Sequence, residues 1–219
     1  FRVGVADDRY PPTPAAVFPP PGELAIGRHP FTVDGVPLSL SVPAGWYSNG
    51  RPSIGADDEV LPEGGALVLW SPANVYATPC AQTPLSPPVG PSIAELADAM
   101  STLPGTELVS APSGVTVGGH AAKYLAYIVP EDVGCVASEF YLAYSETPDD
   151  PCAGTEPCGR HATALGDTVQ VWIVDVDGVR IVIEGDTTRN ASPAIEQEIQ
   201  QIVDSIEFAT QHMPRWNSV

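Results

Sequence analysis

Lysine is almost missing from this chain. Lys123 stands alone, and lysine and arginine together number 9 against 27 aspartates and glutamates, a net charge of −18. A surface of that sign repels phosphate backbones and anionic lipid heads, which argues against nucleic-acid binding and polybasic membrane docking. The ordinary reading of such acidity is solubility, with cation attraction or salt adaptation as the sharper alternative. No apolar run is long enough to read as a transmembrane helix. Two catalytic signatures are absent as well. No serine stands in a Gly-x-Ser-x-Gly setting, and no glycine-rich phosphate loop precedes a helix.

The cysteines are few but even in number: Cys80, Cys135, Cys152 and Cys158. They allow three pairings. An even count favours disulfides in an oxidising compartment. The preferred pairing is Cys152–Cys158, which closes a short loop, with Cys80–Cys135 tying together two segments that follow strands. The chain begins with Phe1 rather than Met, so a trimmed, exported product is expected, extracellular or on the cell surface. Any signal peptide or membrane anchor would lie upstream.

Three parts are expected along the chain. Residues 1–22 hold Pro11-Pro12, Pro14 and Pro19-Pro20-Pro21 without periodicity, the composition of a semi-rigid linker or surface arm. Residues 23–209 read as one α+β domain, and 210–219 as a tail. Phe31–Val33 and Pro37–Val42 flank Asp34-Gly35, a hairpin signal. A Pro-Ala-Gly-Trp-Tyr turn follows at 43–47, then a strand over 66–70 that Val75–Ala77 would extend. Ser92-Ile-Ala-Glu95 is a capping box opening a helix with Ile93, Leu96, Ala97, Met100 and Leu103 on one stripe. Strands are expected at 106–110, 113–117, 120–129 and 139–144, and then a long Pro/Gly/Cys-rich insertion over 145–167.

The last third is the most legible. Val169–Val176 and Val179–Glu184 are β-branched runs joined by Asp177-Gly178, which puts Val176 opposite Val179 and Asp175 opposite Arg180 as a charge-matched pair. Trp172, Val174, Ile181 and Ile183 fall on one face, Val171, Ile173 and Val182 on the other. A sheet apolar on both faces needs cover on both. Ser192 is expected to cap a final helix with Pro193 at its first position, its stripe formed by Ile195, Ile199, Ile202, Val203 and Ile206. The fold class is therefore α+β, a twisted antiparallel sheet of about six to eight strands covered by two main helices.

An early hairpin ending Pro-x-Gly-Trp, a capped middle helix, Val-Gly-Gly-His before a strand, and Val-Trp-Ile-Val-Asp-Val-Asp-Gly-x-Arg before a helix ending Ile-Val-Asp-Ser-Ile together resemble an exported actinobacterial-type domain family. More distantly they resemble the PsbP-like sandwich of LpqN-type lipoproteins. The closer, actinobacterial-type resemblance spans about residues 25–208, strongest at 168–184 and 195–208. It implies a PsbP-like fold and transfers no catalytic residue. The Cys152–Cys158 segment lies outside its pattern.

Few residues carry candidate chemistry. Cys152, Cys158 and His161, with Asp149-Asp150 nearby, are metal-ligand types, but the spacing is not a standard zinc pattern and bridged cysteines would leave His161 alone. Asp175-Val-Asp177-Gly178 resembles a calcium loop but lacks its closing glutamate. Asn190-Ala-Ser192 is formally a glycosylation sequon. His120, after two glycines, is the best-placed general base, with no reactive serine or free cysteine to serve. Tyr124, Tyr127, Phe140, Tyr141 and Tyr144 lie on two strands expected to be neighbours, and form either cross-strand packing or the lining of an apolar ligand pocket. The leading expectation is a non-catalytic exported or surface-tethered domain without a cofactor, binding a protein partner or a hydrophobic small ligand. A metal protein or hydrolase built on the Cys152–His161 loop or His120 is the competing one.

Overall fold

The computed structural model of the protein describes residues 18–51, 53–56, 64–145, 159–162 and 164–209. The first strands are β1 (Gly22–Glu23), β2 (Gly27–Val33), β3 (Val36–Val42), β4 (Tyr47–Ser48) and β5 (Ser53–Gly55). β6 (Gly65–Trp70), β7 (Asn74–Thr78) and β8 (Thr83–Pro84) lead to helix α1 (Ile93–Ser101). Then come β9 (Glu107–Val117), β10 (His120–Ile128), β11 (Tyr141–Tyr144) and β12 (Gly159–His161). β13 (Thr168–Val176), β14 (Val179–Thr187), α2 (Pro193–Asp204) and β15 (Glu207–Phe208) are the last elements among the described residues.

Two-residue turns set three hairpins. Asp34-Gly35, Gly118-Gly119 and Asp177-Gly178 hold positive φ at both positions, which matches the twist of the strands they join. The β13–β14 register is the expected one, with Val176 opposite Val179 and Asp175 opposite Arg180. The Asp175–Arg180 side chains do not pair, however. Arg180 turns to the carbonyls of Gly90 at 2.6 Å and Pro72 at 2.9 Å, while Asp175 accepts from the Gly178 N–H at 2.8 Å. Buried carbonyls need a donor more than an exposed carboxylate does.

One expected sheet is three. The main sheet has eight strands in the order β1-β4-β5-β6-β14-β13-β10-β9, beside sheets β12-β11-β7-β8 and β15-β3-β2. Every described pairing is antiparallel. Val75–Ala77 do not extend β6, because Ser71-Pro72 turns the chain and hands them to the four-stranded sheet. The two strands expected over 106–117 are one strand, bulged against β10 around Ala126. Pro112 is tolerated there because β9 is an edge.

The main sheet is covered on both faces, by the apolar alternation of its central hairpin. Trp172, Val174, Ile181 and Ile183 pack with Ile199, Ile202 and Val203 of α2 and with Phe31, Leu38 and Leu40 of the three-stranded sheet. Val171, Ile173 and Val182 pack with Leu96, Ala97 and Met100 of α1 and with Val75 and Leu142 of the four-stranded sheet. Close approach of α2 is made possible by Gly185: a Cβ there would lie 2.8 Å from Ile199 Cγ2 and 3.3 Å from Trp172 Cζ3.

Both helix starts fall where expected, but by different means. The Ser92 hydroxyl accepts from the Glu95 N–H at 3.2 Å, and the Glu95 carboxylate accepts from the Ser92 N–H at 3.0 Å. Ser192 occupies the N-cap of α2 without a side-chain cap bond. There Pro193 at the first helical position removes one orphan donor and presets φ. Upstream, packing is already present before Glu23: Phe18 lies on the α2-side core and the Pro19 carbonyl accepts from the Ser48 hydroxyl.

Candidate functional site

The five aromatics expected to line a pocket are divided by the structure among three places. Tyr124 lies on the α2 side, its ring 5.2 Å from that of Trp172. Burial, reinforced by the Glu196 charge, pushes its phenol up. Tyr127 and Phe140 are core residues on the α1 side. Only Tyr141 and Tyr144 sit together, on β11, in neither core cluster.

These two have partners that sequence reading missed. Tyr76 of β7 is buried against both, with ring centroids 5.7 Å from Tyr141 and 5.4 Å from Tyr144. His161 of β12 lies opposite Tyr141 in register, the rings 5.8 Å apart and edge-on. Val75, Leu142, Ala143 and Ala162 pack into the core. A register slip between Tyr141 and Ala143 breaks simple alternation on β11, and Tyr141 and Tyr144, three residues apart, both lie against the buried Tyr76. The Asn74 amide holds one rim, donating to the Leu85 carbonyl at 2.8 Å and to the Tyr144 hydroxyl at 3.4 Å. The result is a contiguous aromatic face on the four-stranded sheet.

Beneath that face lies a second group absent from the sequence reading. Glu184 and Asp186 stand two apart on β14, on the α1-side face, both buried. Arg160 of β12 spans them. Its Nε donates to Glu184 Oε1 at 2.6 Å, and its Nη2 donates to Asp186 Oδ2. Burial is the main reason Glu184 is pushed up, to about 8, with Arg160 opposing the shift and Asp186 adding to it. Burial also holds the Tyr127 phenol well above its usual range, helped by Glu184 and Asp186. For Arg160, burial acts to lower the value, and the two carboxylates outweigh it.

The remaining candidates resolve as packing or turn residues. Cys80 and Cys135 are joined in a disulfide. Cys152 and Cys158 lie outside the described residues. His161 stacks on Tyr141 with Nδ1 2.8 Å from the Ala162 carbonyl, and among the described residues no three metal-ligating groups converge. His120 packs edge-on against Phe208 at 5.2 Å. Asp175-Val-Asp177-Gly178 is the β13–β14 turn. Among the described residues no helix is long and apolar enough to cross a membrane.

No protein-family model and no curated protein matches the chain. Solved structures similar to it include LpqN of Mycobacterium tuberculosis, described as involved in cell envelope biogenesis. That match has 14% identity and a TM-score of 0.45, and covers 85% of this chain and 92% of that one. The PsbP of the cyanobacterium Synechocystis is similar at 8% identity and a TM-score of 0.41, covering 84% and 94%. A protein of Bacteroides thetaiotaomicron is similar at 12% identity and a TM-score of 0.36, covering 80% of this chain and 46% of that one. LpqN and PsbP are the two kinds of protein named in the more distant sequence resemblance. Nothing about what they do is carried to this chain.

Proposed function

We propose that this protein is a non-catalytic, extracytoplasmic domain that binds a hydrophobic small ligand, or apolar side chains of a protein partner, through the aromatic face of β7, β11 and β12. The observation that carries this reading is the cluster of half-buried Tyr141, Tyr144 and His161 gathered over the buried Tyr76. Tyrosines offer a large apolar body with a polar tip, which suits a surface that must be wet when empty and apolar when filled. The Cys80–Cys135 disulfide supports an oxidising compartment. In this reading the binding unit runs from Phe18, which already packs on the core, to residue 209, and the segment before Phe18 is a spacer that positions it.

The test is titration with Nile red, a neutral apolar dye suited to an acidic protein. Saturable binding is expected, and the double variant Tyr141→Ser/Tyr144→Ser should weaken it by about tenfold, the loss of two aromatic contacts. The melting temperature should stay within a few degrees. Unchanged dye affinity in the variant would remove this face as the binding surface.

A further inference from the structure

Tyr141 and Tyr144 each touch the Tyr76 ring, and neither lies parallel to it. Their planes cross that of Tyr76 at 68° and 57°. Among the described residues the two outer rings make no contact with each other. Two rings that lean on a third without meeting stand as walls above a shared floor. Tyr76 is that floor, buried, while Tyr141, Tyr144 and His161 are half-buried around it. Strand β12 fixes one wall. A Cβ on Gly159 would collide with Tyr141 Cδ1 and stand 2.9 Å from Cε1, so the ring rests directly on the backbone there. His161 meets the same ring edge-on, at 5.8 Å and 67°. The recess is therefore held in shape by protein contacts, which lowers the cost of filling it.

The charge of the chain selects among apolar ligands. Across β7, β8, β11 and β12 the one permanently charged residue is Arg160, and its guanidinium binds Glu184 and Asp186 on the inner side. No fixed cation of these strands therefore occupies the outer face. Ring faces carry partial negative charge and attract a cation placed over them, most strongly where water is displaced. The chain as a whole carries a net charge of −18, and such a field gathers small cations at the surface. A metal ion or a primary ammonium would lose strong hydration in a recess walled by rings rather than carboxylates. A quaternary ammonium is weakly hydrated, apolar at its rim and charged at its centre. It suits both the rings and the field.

We infer that the aromatic face takes a quaternary ammonium group, held over the Tyr76 ring between Tyr141 and Tyr144. This ligand class lies within the apolar binding reading above and rests on it. The group arrives either on a free cation such as choline or on a choline lipid headgroup, and the same rings meet it in both cases.

The test is calorimetric titration of the full chain with choline chloride and with its neutral isostere, in which a tert-butyl group replaces the trimethylammonium. Choline should bind about tenfold more tightly than the isostere. Tyr141→Phe/Tyr144→Phe keeps the ring faces and should keep that preference to within about twofold. Tyr141→Leu/Tyr144→Leu keeps apolar bulk without the rings and should abolish it. Equal affinities in the wild type, no choline binding, or a preference that survives in the leucine variant would each overturn the proposal. Saturable Nile red binding without a choline preference would leave the apolar reading standing, so the two failures are distinct. Cosedimentation with phosphatidylcholine vesicles, against phosphatidylglycerol vesicles, then separates the sources. Pelleting with the first alone assigns the lipid headgroup, and choline binding without pelleting assigns a free cation; either result upholds the proposal.

Discussion

Trp46 donates its indole N–H to the Glu198 carboxylate at 2.9 Å, joining the Pro-Ala-Gly-Trp turn to a half-buried flank of α2. The Trp46 ring is fully buried, so this bond is the one polar handle of a core residue. Hydrogen bonds to charged groups contribute roughly 1.5–3 kcal/mol. Glu198→Ala is expected to destabilise by about 1–2 kcal/mol and Glu198→Gln by less than about 1 kcal/mol, read from urea unfolding. Equal losses in the two variants would mean that the bond contributes nothing specific.

Gly185 places α2 on the sheet. Gly185→Ala adds a methyl where Ile199 Cγ2 and Trp172 would be met at 2.8 and 3.3 Å. Overpacking of this kind costs about 1–3 kcal/mol. The expected result is a lower urea midpoint, with the near-ultraviolet signal of the tryptophans altered.

The Cys80–Cys135 bond closes a loop with a sequence separation of 55. The loop-entropy model assigns such a closure about 4 kcal/mol. Cys80→Ala/Cys135→Ala should lose a stability of that order in urea, and unreduced wild-type protein should take no thiol label at these positions.

Stability should fall as pH rises across neutrality. Glu184 goes from an ordinary 4.5 to about 8 in the folded protein. Between those values the folded state holds a proton that the unfolded chain has released. Its stabilisation is therefore complete below pH 4.5 and gone above about pH 8, at up to about 1.4 kcal/mol per unit in the limit. Asp167 is also raised, by burial and Asp186, and acts in the same direction. Glu95 acts oppositely. Its hydrogen bonds to Ser92 lower it, so the capping box is present above its ordinary value and lost as pH falls through its folded value. Urea midpoints should therefore peak on the acid side of neutrality, and Glu184→Gln should flatten the fall above that peak.

The elements legible in the sequence were those with local punctuation. Asp177-Gly178 announced its hairpin, and Ser92 with Glu95 announced α1. The two-faced apolar pattern of 169–183 correctly required cover on both sides. What escaped notice had no local mark. The strand read from the sequence stops at Glu184 and leaves Asp186 outside it, yet β14 runs to Thr187 with both carboxylates inside. Their partner Arg160 comes from a three-residue strand beside a long stretch without periodicity. Tyr76 was missed because its strand was assigned to the wrong sheet. One clue was available: Gly185 between two acids, where a small residue on one face marks close packing on that face and leaves the acids on the other.

The most direct measurement is hydrogen exchange of the protein saturated with Nile red against the free protein at the same pH. Protection should rise at 74–78, 141–144 and 159–161 and nowhere else. Protection gained instead along the exposed edge strand β9, or on the α2 side around Tyr124, would show that the aromatic face is packing and that binding lies elsewhere.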